Sequence, residues 1–130
     1  MNILFYASRE FNLPRKLFEA IREAGLGEVE FEHLRHSREL RERFRQSGRE
    51  PSLVILCPAD HLELRELAAM GDYLIDCNLI LIVPDETAET IALAHRLRPR
   101  FLCYIDENAD RVGEVAWNIL NREAMSRTSS

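Results

Sequence analysis

This chain of 130 residues has only three cysteines, Cys57, Cys77 and Cys103, too few and too irregularly spaced for a disulfide framework or a metal knuckle. Reduced thiols and a cytoplasmic setting are therefore expected. No apolar run approaches the roughly 18 residues that a membrane span needs. Met1 leads into an apolar run at Ile3 without a basic leader or a cleavage site, which speaks against a secretory signal. Glycine is sparse, and none follows closely on Tyr6 or on Cys57. A phosphate cradle wants glycine where backbone and ligand meet, so dinucleotide and P-loop chemistry are set aside, with cobalamin-type histidine loops. Positive charge is in deficit too: a net charge of -5 argues against a dedicated nucleic-acid binder.

What remains describes one ordinary domain. Hydrophobic residues make up 46% and charged residues 30%, without linker, repeat or low-complexity segment. Five short apolar runs stand out: Ile3–Tyr6, Val29–Phe31, Leu53–Leu56, Leu79–Val83 and Phe101–Tyr104. Each is followed by an amphipathic stretch, and strands alternating with helices predict a parallel sheet in a three-layer α/β domain. Leu53–Leu56 and Leu79–Val83 are continuously apolar, as central strands covered on both faces should be. The strand from Glu28 to Glu32 alternates acid and apolar residues, the pattern of a half-exposed edge.

The helices are placed by their caps and stripes. Asn12 and Pro14 open the first, with Leu17, Ala20, Ile21 and Ala24 inward, and Gly25 and Gly27 close it. Ser37 is expected to cap the second, which turns Leu40 and Phe44 inward and stops near Gly48. Asp60 and Glu63 have capping-box spacing ahead of Leu64, Leu67, Ala68 and Met70. The fourth is expected to start at Pro84-Asp85, with Ile91, Ala92 and His95 along one side, and to stop at Pro99. The fifth runs from about Asn108 to Glu123, with Val112, Val115, Ala116 and Ile119 facing the sheet. One domain over residues 1–124, with a frayed polar tail at 125–130, is the expected organisation.

Five such units in this length resemble the receiver domain of two-component response regulators, a flavodoxin-like fold with strand order 2-1-3-4-5. Ile3–Tyr6 is similar to the family's first strand, Pro51–Leu56 to its third with the proline lead-in, and Pro58 with Leu62–Leu64 to the opening of its third helix. The resemblance implies magnesium-binding acids after strand one and an aspartate acceptor ending strand three. It also implies a hydroxyl residue after strand four and a lysine after strand five. At those positions this chain has Ala7 and Ser8, Cys57, Val83 or Pro84, and Tyr104 with Ile105. Magnesium wants hard carboxylate oxygens and phosphoryl transfer wants cationic neutralisation, and these residues offer neither. Glu10 and Asp60 lie one to three places from this corner.

Other chemistry has few candidates. Cys57 ends a strand ahead of a helix, with Asp60 and His61 close in sequence, so it is read either as a reactive thiol or as a small buried hydrophobe, with the weight on the second. A strand between Cys57 and Cys103 leaves about 9–10 Å and excludes a disulfide. Arg38, Arg41 and Arg45 share one helix face, with Arg35, Arg43 and Arg49 nearby, but Glu39 and Glu42 dilute the stripe and no aromatic platform interleaves it. His33, His36 and His95 have no ligand-spaced partners. Trp117 sits beside the inward stripe of the last helix, as core rim or as interface anchor.

The expected function is a non-enzymatic, phosphorylation-independent receiver-like module, without cofactor or metal, that binds a protein partner. The resemblance adds a homodimer through the fourth helix, fifth strand and fifth helix. A cysteine-based redox sensor or small flavodoxin-like enzyme using Cys57 is the alternative, and a nucleic-acid-associated regulator using the arginine stripe is the third reading.

Overall fold

The computed structural model describes residues 2–8, 30–46, 51–74, 77–104 and 109–128. Five strands, β1 (Asn2–Ala7), β2 (Glu30–Leu34), β3 (Leu53–Cys57), β4 (Leu79–Val83) and β5 (Phe101–Tyr104), form one sheet. Its order is β2-β1-β3-β4-β5, and every pairing is parallel. Five helices are described: α1 (Ser37–Arg45), α2 (His61–Ala68), α3 (Gly71–Leu74), α4 (Ala88–Arg96) and α5 (Ala109–Thr128). This is the α/β sandwich expected from the alternating runs, with the flavodoxin-like strand order that the receiver resemblance implied. The helix expected from Asn12 lies outside the described residues.

The period of two in each strand sorts the core onto two faces. Ile3, Phe5, Ala7, Leu53, Ile55, Cys57, Ile80, Ile82 and Cys103 pack under Val112, Ala116, Ile119 and Leu120 of α5. Leu4, Tyr6, Val54, Leu56, Leu79, Leu81 and Val83 face the other way, onto Leu40, Leu64, Leu67, Met70, Leu74, Ala94 and Leu97. β3 and β4 are buried at every position, because both faces are covered and both edges paired. β2 pairs only with β1 and stays largely exposed, an edge strand as its alternation implies.

Several boundaries differ from the expectation, each for a local reason. β2 continues through His33 and Leu34, because Leu34 pairs with Tyr6 and packs on the core. His36, not Ser37, is the N-cap of α1, where Glu39 Oε1 accepts the backbone N–H of Arg35 and of His36. Thr87, not Pro84-Asp85, caps α4. That later start turns Thr90, Ala94 and Leu97 inward and leaves Ala92 and His95 exposed. The short α3 was not expected. It turns Leu74 into the core, while Tyr73 stacks on Phe44 of α1 at 6.3 Å between ring centroids. α5 runs on to Thr128, so the expected tail from residue 125 is helical over most of its length.

Candidate functional site

Ligands of such sheets sit at the carboxyl ends of the strands, and that end is built here from Ala7, Ser8, Cys57, Val83 and Tyr104. Ala7 and Cys57 are register partners across β1 and β3, and Val83 and Tyr104 are partners across β4 and β5. Ala7, Cys57 and Val83 are buried, Tyr104 is half-buried and Ser8 is exposed. Among the described residues Glu63 reaches Ser8 at this corner, and it is already engaged. Glu63, in the first turn of α2, accepts the Tyr6 hydroxyl at 2.6 Å on Oε1 and the Ser8 hydroxyl at 2.8 Å on Oε2.

The clasp explains itself from local structure. Asp60 caps α2 by accepting the Glu63 backbone N–H at 3.0 Å, half of the capping box that the spacing implied. The Glu63 side chain does not close the other half and reaches β1 instead. A short bond from a phenol to a carboxylate is charge-assisted and strong. Burial, then the hydrogen bond and charge of Glu63, raise the Tyr6 pKa well above the ordinary phenol range. Asp60 is committed as a cap, and Glu10 lies outside the described residues. Among the described residues no three His, Cys, Asp or Glu side chains converge as a metal site would need.

Cys57 is fully buried, and burial, with smaller contributions from Cys103 and Glu63, pushes its thiol up to about 12. That is the opposite of an activated thiolate. His61 does not serve it as a base. Cys57 belongs to the face under α5, whereas α2 packs on the other face. Cys103 shares the Cys57 face and Cys77 precedes β4, and none of the three is in a disulfide.

His61 instead joins a network that sequence reasoning missed. Its Nε2 lies 2.9 Å from Thr90 Oγ1 and 3.3 Å from Thr87 Oγ1, with Asp85 Oδ2 at 3.8 Å. Thr87 Oγ1 is also 2.8 Å from Asp85 Oδ1 and 3.0 Å from Thr90 Oγ1. Hydrogen bonding from Thr90, and from the backbone and side chain of Thr87, lowers Asp85 to about 2. The network ties the start of α2 to the start of α4. The Thr87-x-x-Thr90 spacing was its one legible sign, an N-cap and its helical neighbour.

The remaining candidates are surface features. Arg38, Arg41 and Arg45 are exposed on α1 opposite the buried Leu40, while Arg43 pairs with Glu32 of β2 at 2.9 Å. Trp117 is half-buried on α5. Between β5 and α5 runs a groove of about 440 Å³ with Phe101, Val115 and Ile119 as floor and Arg100 and Arg122 at the rim. Arg111 lies over the Phe101 ring at 5.7 Å. No described helix is long and apolar enough to cross a membrane.

Comparison with known proteins places this architecture. The sequence matches no family model and no curated protein. The structure is similar to a response regulator receiver domain from Methanospirillum hungatei at a TM-score of 0.72 and 11% identity, covering 96% of this chain and 97% of that one. It is similar to the signal receiver domain of an HD domain-containing protein from Pseudomonas fluorescens at a TM-score of 0.68 and 18% identity, covering 99% and 98%. A pilus assembly-related protein from Burkholderia pseudomallei matches at a TM-score of 0.64 and 14% identity, covering 93% and 90%. At such identities the likeness establishes the fold, which is that of receiver domains.

Proposed function

We propose that this chain is a phosphorylation-independent, receiver-like signalling module that works by binding a protein partner or a second copy of itself. The observation that carries the reading is the closed corner: Glu63 is held by Tyr6 and Ser8, and the acceptor position is a buried Cys57 with a strongly held proton. A magnesium-assisted phosphoryl transfer needs free carboxylates and a reachable nucleophile, and the described residues of this corner offer neither. The receiver names of the similar structures support a signalling role. The same corner favours binding over catalysis. Cysteines outside any disulfide fit a cytoplasmic setting.

The surface favoured for binding is the one built by α4, β5 and α5. β5 is an edge strand, Trp117 is half-buried, and the groove along Phe101 combines an apolar floor with arginine at its rim. Aromatic and arginine side chains are the usual anchors of interfaces. The test has two arms. Incubation with magnesium and acetyl phosphate, read by intact mass, is expected to leave the chain unmodified; uptake of one phosphoryl group would overturn the proposal. Sedimentation equilibrium, with affinity capture from cells, is expected to reveal a dimer or a protein complex that Trp117→Ala weakens. Recovery of nucleic acid alone, released by salt, would move the function to the α1 arginines.

A further inference from the structure

A second site lies at the opposite end of the sheet. α2 and α4 run back toward the amino ends of β4 and β5, and their last turns meet α3 around a cleft of about 460 Å³. Arg65, Arg96 and Arg98 line it, with Ala68, Ala69, Gly71 and Leu97 between them, and Asp72 is the one acid in the lining. None of the three arginines forms an ion pair among the described residues.

Each arginine has an ordinary reason to be at the end of a helix, where cations meet the negative end of the dipole. That reason does not account for their convergence. Three arginines, Arg65 on α2, Arg96 on α4 and Arg98 just past the end of α4, line one small cleft with a single carboxylate among the described residues, in a chain whose net charge is -5. Like charges brought together repel unless an anion enters, so the fold holds a positive site ready at the cost of that repulsion. Arg98 carries a further sign: its φ is 49°, the left-handed region that suits glycine, and no other non-glycine residue among those described has a positive φ.

We propose that this cleft binds a small phosphate-bearing anion of the diphosphate type, giving the module a ligand input remote from the closed corner. The volume of about 460 Å³ suits a small molecule. The lining has no aromatic or extended apolar wall, so charge makes the recognition, and arginine forks match phosphate oxygens in pairs.

The test is titration of the full chain with pyrophosphate, followed by calorimetry and by amide chemical shifts. Saturable binding that weakens as salt rises, with shifts centred on 65–72 and 96–98, is the expected result. Arg98→Gly should weaken binding at least tenfold while unfolding at the same or higher denaturant, because glycine accepts the left-handed backbone. Arg65→Gln with Arg96→Gln should abolish it. Arg38→Gln with Arg41→Gln and Arg45→Gln, on α1, should leave it unchanged. Absence of binding at millimolar pyrophosphate, or binding that follows the α1 arginines, would overturn the proposal.

Discussion

The two ends of the sheet handle charge in opposite ways. At the carboxyl ends the described carboxylates are already engaged: Glu63 is bound by two hydroxyls, Asp60 caps α2, and Asp85 is held by Thr87. At the amino ends three guanidinium groups stand around a cleft without ion-pair partners among the described residues. A satisfied polar group contributes to stability and has little left for a ligand; an unsatisfied one does the reverse. In the function proposed above, the end that receiver domains use for chemistry is part of the scaffold, and the unspent charge lies elsewhere.

The comparison can be broken most forcefully at Cys57. Restoring an acid with Cys57→Asp places a carboxylate at a fully buried position, with an expected loss of roughly 3–5 kcal/mol in urea unfolding. Phosphoryl uptake should still be absent, because Ala7 and Ser8 hold no magnesium.

Alkali probes the same thiol. Its pKa is raised from 9.0 unfolded to about 12 folded, so the stabilisation is complete below pH 9 and is lost as pH climbs toward 12. Between pH 9 and 11 roughly 2 kcal/mol should disappear, and Cys57→Ala should flatten that part of the stability curve.

Tyr6→Phe sharpens the contrast by opening the clasp. A hydrogen bond to a charged group contributes about 1.5–3 kcal/mol, so a loss of about 2 kcal/mol is expected in denaturant unfolding. If Tyr6→Phe costs nothing, the clasp is not what closes the corner.

The smallest effect belongs to the cleft. Arg65→Gln and Arg96→Gln should each change unfolding free energy by less than about 0.5 kcal/mol, because the lost dipole contact is offset by relieved repulsion. A larger loss from either would make these arginines part of the scaffold, and the contrast between the two ends would fail.

How much of this was legible in the sequence follows from the range of each interaction. The strands and their burial were plain, since Leu53–Leu56 and Leu79–Val83 admit no polar face. The order 2-1-3-4-5 came with the family resemblance rather than from the runs themselves. Asp60 as the cap of α2 was readable, because cap and helix are neighbours. The destination of the Glu63 side chain was not, because Tyr6 is 57 positions away. Thr87 was missed as the cap of α4, since Pro84-Asp85 offered the stronger local start signal, and the error turned the expected face of that helix. The cleft was hidden most deeply: Arg65 and Arg96 each look like an ordinary helix end until two helices are packed side by side.

The position of β1 has a consequence for how the chain is made. β1 lies between β2 and β3 in the sheet, and its residues are almost wholly buried. Yet Asn2 meets Ser52 only across a separation of 50 residues. At roughly 5–20 residues per second, a nascent β1 waits roughly 3–10 s for β3 to be synthesised, with Ile3, Leu4 and Phe5 unpartnered on that side meanwhile. Parallel pairing across such a separation is also slow to form. The step most exposed to misassociation is therefore the interval before β3 arrives, a liability set by strand order and independent of how stable the finished domain is.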